Sequence, residues 1–518
     1  MRVRVPLLAC VVALVVAAPA GAATVSMPFV AHVAPSKEAG PIDVYALTFE
    51  AAAGETNRVV ADDRLLAEGL VRVRDAGAAP TPGENCAAEP GGSVVCRPRG
   101  TAPPRLQRAD LRLGDGDDEL VLNGLQAAVS AGAGDDRVVS PDAGVSVDGG
   151  PGADYMRAPS GAVSYPGRTL GVRVTPDGVP DDGEPGEGDD VGPTFSVVSG
   201  GDGPDELHAP ADPPYSWSRL DGRGGDDRLF GAGTAASLIG GDGDDSLIGG
   251  GGRDVLDGGA GADLIRGGAN FDVVEYGALG PVDVTLDDRR GDGTEGENDD
   301  AGADVESVVG SHSDDRIVGS GADNVIDGRG GADVLDGAGG ADRIVLHGPG
   351  GRATGGPGRD AIDAEGSGGT VDTRDGERDE VRCGLHPNTF SFDALDVFLR
   401  CAPSLTVPSG RTYGVSRDGL VRPLVRCHGA GYPTCAGTIR LYRRGDVGRP
   451  GAQPIGRARF SVRGDGKSAR VAVRLVNSVR AEITRGRRLR VDGRWRTTNT
   501  DPPSRQDGGF KLKLVRAR

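Results

Sequence analysis

Apolar side chains recur in this chain with a fixed step. Leu247, Leu256, Ile265 and Val274 are nine residues apart, and each stands two positions after an aspartate: Asp245, Asp254, Asp263 and Asp272. The template returns as Ile317, Ile326, Leu335 and Ile344, placed after Asp315, Asn324, Asp333 and Asp342. Glycine fills most of the intervening space, as in GGDGDDSLIGGGGRDVLDGGAGADLIRGG (Gly240 to Gly268). A six-residue GGxGxD segment predicts a tight turn, because glycine supplies the positive φ angles that other residues resist. The three residues that follow predict a short strand whose middle side chain points inward.

Two turn-strand units complete a coil of eighteen residues. Stacked coils bury a narrow stripe of aliphatics between two short sheets and pile the turns along each edge. Aspartates eighteen apart then lie above one another. The front of the array shows that period directly: Asp118, Asp136 and Asp154 are eighteen apart, while the units between them lose the aspartate and keep Val129 and Val147. Further on, Asp227, Asp245 and Asp263 share one edge, Asp254 and Asp272 the other, and Asp342 and Asp360 are again eighteen apart. The expected fold is all-β: a parallel β-roll over residues 113–363.

Ca²⁺ takes six to eight oxygens at about 2.3–2.6 Å. Glycine turns expose carbonyls, and two stacked turns add two carboxylates. The expected metal ligands are therefore Asp118, Asp136, Asp154, Asp227, Asp245, Asp254, Asp263, Asp272, Asp315, Asp333, Asp342 and Asp360, giving roughly six to eight ions. Asn324 offers an amide and Asp205 lacks a partner eighteen residues away, so neither is counted. The nonapeptide GGxGxDxUx resembles the repeats of the RTX (haemolysin-type) calcium-binding family. That resemblance implies a calcium-bound β-roll.

A longer duplication interrupts the array. Val172 to Leu207 matches Val282 to Ile317 at a constant offset of 110. Each copy leaves the nonapeptide period after a tyrosine, Tyr165 or Tyr276, giving inserts of about 166–204 and 277–314. Their acidic knots GEGDD and GENDD could hold an ion; a solvated acidic hairpin is the favoured reading.

The flanks differ in character. Residues 1–22, with two arginines, an apolar run and Ala-Gly-Ala, read as a secretory signal peptide. Residues 23–112 read as a β-rich cap, since a solenoid's open end must be covered. Residues 364–403 resemble the disulfide-closed segment that often ends such arrays in secreted actinobacterial-type proteins. Residues 404–518 alternate apolar with Arg or Lys, as in ARVAVRLV and FKLKLV, and predict a β-sandwich. Net charge is −18, yet this last module carries 26 Lys and Arg against 7 Asp and Glu. Six cysteines remain after the leader, in three local pairs: Cys86/Cys96, Cys383/Cys401 and Cys427/Cys435. In an oxidising compartment these read as disulfides.

The function expected is a secreted, extracellular calcium-binding protein acting as a structural or adhesive scaffold. The alternatives are attachment of the basic module to an anionic cell-envelope polymer or glycan, and an accessory role to a hydrolase. No HExxH or GxSxG occurs and the six histidines are scattered, so no enzyme activity is expected. Export argues against nucleic acid, and no segment suits membrane insertion. The N-terminal leader departs from the RTX family, whose type I-secreted members typically carry an uncleaved C-terminal signal. Neither the family's secretion route nor toxin activity is carried over. Oligomeric state is left open.

Overall fold

The computed structural model describes residues 105–277 and 280–364 without a break, and parts of 23–97 and 369–516. Every regular element among these residues is a β-strand. The chain forms two compact units, Met1–Gly252 and Arg253–Arg518.

In the first unit, parallel strands stack at the expected eighteen-residue pitch. Glu119–Asn123, Arg137–Val139 and Tyr155–Arg157 form one face, with Leu120 over Val138 over Met156. Arg105–Arg112, Ala127–Ser130, Val145–Asp148 and Gly161–Ser164 form the other, with Leu111, Val129, Val147 and Val163 in register. All seven of these aliphatic and sulfur side chains are buried. The stripe between the two faces is the core, and it is only as wide as the strands are short.

The coil geometry begins before the first GGxGxD turn. Ile42–Glu50 pairs in parallel with Arg105–Arg112, and Arg58–Asp62 with Glu119–Asn123. Between those strands an antiparallel group, Val71–Asp75, Ser93–Cys96 and Cys86–Ala88, extends the face outward. Cys86 and Cys96 are directly opposed there and joined by a disulfide. The side chains of Cys383, Cys401, Cys427 and Cys435, like residues 1–22, expected to be a signal peptide, lie outside the described residues.

Each insert does a specific job in the stacking. In the first unit, Asp190–Val191 closes one face by pairing with Tyr155–Arg157, and Arg173–Val174 opens a new one by pairing with Glu206–His208. In the second unit, 110 residues on, Asp300–Ala301 pairs with Leu264–Gly268, and Val282–Thr285 opens a face continued by Arg316–Val318 and Val334–Asp336. The favoured solvated hairpin is thus corrected: Asp182, Asp189, Asp292 and Asp299 are each no more than 4% exposed. The knot is an internal hairpin bridged at Asp182–Asp189 and at Asp292–Asp299. Arg157 pairs with Asp190 at 2.6 Å, and Arg168 with Glu187 at 2.9 Å, so part of its charge is neutralised locally.

The second unit continues with Val255–Ala260, Val273–Glu275, Ser307–Val309, Val325–Asp327 and Arg343–Val345 in parallel. Leu256, Val274, Val308, Ile326 and Ile344 form its buried stripe. Beyond it, seven strands between Thr412 and Arg516 pair round into a closed barrel, and Ser404–Thr406, Leu424–His428 and Ser468–Arg470 form a separate sheet. The alternation that predicts a sandwich is present, with Ile439 and Leu441 buried and Arg440 exposed between them. The pairing closes on itself, and a closed sheet leaves no free edge.

Candidate metal centre

The turns of the array are held by a carboxylate ladder. The backbone N–H of Asp118 donates to Oδ1 of Asp136 at 2.8 Å, and that of Asp136 to Oδ1 of Asp154 at 2.9 Å. The same bond joins Asp227 to Asp245, Asp254 to Asp272, Asp315 to Asp333, and Asp342 to Asp360, all within 2.8–3.2 Å. Eighteen-residue stacking therefore brings these eleven of the twelve expected ligands together. All twelve are buried, none more than 2% exposed.

One oxygen of each carboxylate in the ladder is thereby used. At Asp118, Asp136, Asp154, Asp227, Asp272, Asp333, Asp342 and Asp360 the other, Oδ2, is buried and accepts no hydrogen bond among the described residues. The glycine five positions earlier makes room for it. A Cβ on Gly149, Gly222, Gly337 or Gly355 would collide with Oδ2 of Asp154, Asp227, Asp342 or Asp360. The first glycine of the motif is thus a cradle for the carboxylate, in addition to being part of a turn.

An ionised carboxylate without water or partner is costly. Burial accordingly pushes Asp154 and Asp227 up to about 8, and Asp136 and Asp342 to about 7. The ladder N–H opposes burial in each case, while neighbouring aspartates add to it. A row of such oxygens calls for positive charge. The donors at the turns are carboxylate and peptide oxygens, a hard set that suits Ca²⁺ better than metals preferring nitrogen or sulfur. Two carboxylates on successive coils balance one divalent ion, so the residues present fit the cation.

Asp315 differs from the other expected ligands. Its Oδ1 accepts from the N–H of Val282 and the hydroxyl of Ser311, and its Oδ2 from the N–H of Ser311. Asp205 is engaged in the same way by Val172 and Gly201. Both stand where the array resumes after an insert, and their carboxylates cap the new face. Asn324 accepts from Ser320 through Oδ1 and donates from Nδ2 to the Val305 carbonyl, so its amide is structural.

The ladder also recruits residues that the period misses. Asp205 does have a stacked partner: its N–H donates to Oδ1 of Asp227, twenty-two residues on. Asp154 donates to Asp189, and Asp263 to Asp299, so each insert carries the next rung. Asp272 donates to Glu306, Asp360 to Asp379, and Asn57 to Asp118. A common signal marks these positions: Asn57, Asp189, Asp299, Glu306 and Asp379 each precede a buried aliphatic by two, namely Val59, Val191, Ala301, Val308 and Val381. A second ladder runs the other way on the surface. The N–H groups of Asp135 and Ala153 donate to Oδ1 of Asp117 and Asp135, and Ala332 and Ala341 do so to Asp314 and Asp323.

No curated protein matches the chain in sequence. A family model for the RTX calcium-binding nonapeptide repeat matches four copies, at residues 239–274 and 309–344. Those segments contain Asp245, Asp254, Asp263, Asp272, Asp315, Asp333 and Asp342. The orphaned oxygens, the glycine cradles and this match lead to one identification: the chain carries RTX calcium-binding nonapeptide repeats, set in a parallel β-solenoid.

Proposed function

We infer that this is an exported, non-catalytic protein whose repeat array takes up several calcium ions and becomes a rigid scaffold, structural or adhesive, outside the cell. The observation that carries this reading is the row of buried Oδ2 atoms, from Asp118, Asp136 and Asp154 to Asp333, Asp342 and Asp360, that accept no hydrogen bond among the described residues. Without a cation, the narrow aliphatic stripe must offset the cost of a buried carboxylate, charged or forced to hold a proton, on nearly every coil. With one, binding free energy becomes folding free energy. Extracellular modules work with affinities of about 10⁻⁴–10⁻³ M. A chain of this kind is only marginally folded where calcium is scarce and becomes stable after export, and the leader-like residues 1–22 support that route. Equilibrium dialysis against radioactive calcium tests the reading. Several ions per chain at millimolar calcium are expected; less than one contradicts it.

A second reading concerns the basic module. Arg440 and Arg474 are exposed between buried neighbours, as expected for a barrel that presents cations outward. Such a surface suits an anionic envelope polymer. Binding of the full chain to polygalacturonate that weakens steeply with salt would support it.

A further inference from the structure

In the first unit, the longer step from Asp205 to Asp227 adds four residues to a coil. The surplus lies in HAPADPPYSW, His208 to Trp217. Pro210, Pro213 and Pro214 fix φ along this loop and reduce the freedom lost on ordering it. The chain re-enters the sheet at Trp217, whose strand Trp217–Gly224 pairs with Phe195–Ser199. Tyr215 is left 63% exposed and Trp217 44% exposed, in a chain with only 4% aromatic residues. The duplicated segment of the second unit has no counterpart, since Asp315 is followed on the ladder by Asp333 at the ordinary eighteen.

These two rings border a groove of about 330 Å³ on the coil surface. Gln126, Ser146, Ser160 and Ser196 supply its polar groups, and small residues make up the remainder. The Tyr215 hydroxyl donates to Oγ of Ser160 at 3.4 Å. None of the lining residues is charged, although charged residues make up 26% of the chain.

We propose that this groove binds a neutral saccharide chain. A pyranose ring has an apolar C–H face that covers an exposed aromatic ring, and a rim of hydroxyls that both donate and accept. Tyr and Trp offer the first surface. Ser and Gln, each donor and acceptor, match the second. A purely apolar ligand would leave those groups without partners. An anionic polymer would find no cation in the groove, and a metal ion no carboxylate. The volume lies at the small end of ligand clefts, roughly 300–1,000 Å³, and accommodates a short stretch of a longer polymer. The scaffold thereby gains a binding surface of its own, distinct from the basic barrel.

Affinity electrophoresis of the full chain in calcium tests this, using gels containing galactomannan, mixed-linkage β-glucan or xylan, with polygalacturonate as the anionic comparator. Retardation by at least one neutral polymer is expected. Tyr215→Ala and Trp217→Ala should each weaken it at least fivefold, and Trp217→Phe should retain most of it. Circular dichroism in calcium should be the same for all three variants. No retardation in any neutral gel, retardation by polygalacturonate alone, or retardation unchanged in both alanine variants would overturn the proposal.

Discussion

The backbone N–H of Asp342 donates to Oδ1 of Asp360, eighteen residues on, at 2.9 Å, and Oδ2 of Asp360 is left buried with no hydrogen-bond donor among the described residues. The bond fixes the height of one coil on the next. The leftover oxygen fixes what the coil still needs. Hydrogen bonding alone therefore sets the geometry of the array but does not complete its electrostatics.

Asp342→Asn separates these two roles. The amide keeps an oxygen for the N–H of Asn324, which Asp342 accepts at 2.8 Å, and removes the buried charge. In chelator the variant should be at least as stable as the parent. In calcium it should be less stable, with the affinity of the neighbouring site reduced about tenfold, or about 1.4 kcal/mol. Paired thermal melts with and without calcium would show this reversal of sign.

Proton linkage gives a second test. In the metal-free folded array Asp154 and Asp227 titrate at about 8 and Asp136 at about 7, against about 3.9 when unfolded. The folded state holds more protons than the unfolded one throughout that interval, so stability falls as pH rises. In chelator, melting temperature should rise as pH is lowered from 8 to 5. In calcium, acid should weaken binding, because protons compete for the same oxygens. Melts at pH 5 and pH 8 under both conditions check the two slopes.

Gly358 tests the backbone. Its φ is +143°, and a Cβ there would meet the carbonyl of Gly340 on the preceding coil. Gly358→Ala must strain the turn or open the stack. A loss of roughly 1–3 kcal/mol is expected with or without calcium, so the effect on melting should persist in chelator, unlike that of Asp342→Asn.

Asp189 reports on the insert. Its Oδ1 accepts from the N–H of Asp154 at 2.9 Å and its Oδ2 from the hydroxyl of Tyr165 at 3.0 Å, inside the protein. Asp189→Ala leaves both donors buried without an acceptor, at about 1–3 kcal/mol each. Denaturant unfolding should show a large loss; a value near zero would mean that the hairpin does not secure the coil.

The coil was legible in the sequence because two demands recur at one spacing. An aliphatic must face the stripe, and an acidic group must stand two residues before it. Val129 and Val147 reveal the coil even where the aspartate is missing. Asp189, Asp299, Glu306 and Asp379 escape the nine-residue count because inserts and altered turns shift their numbers, while leaving their relation to the next aliphatic intact. The burial of Asp182 and Asp292 was not legible. An acidic run such as DDGEPGEGDD (Asp181 to Asp190) has the composition of a solvated loop, and only the two faces meeting at the insert show that these carboxylates are enclosed. Asp315 fits the motif in sequence, yet its oxygens serve Val282 and Ser311, because a new face starts beside it. In the C-terminal module, alternation identifies strands but does not say whether their edges meet.

Far-UV circular dichroism of residues 23–518, prepared in chelator and titrated with calcium, tests the central claim most directly. A cooperative gain of β signal at roughly millimolar calcium is the predicted result. A chain with its full β signal in chelator, unchanged by the ion, would contradict it.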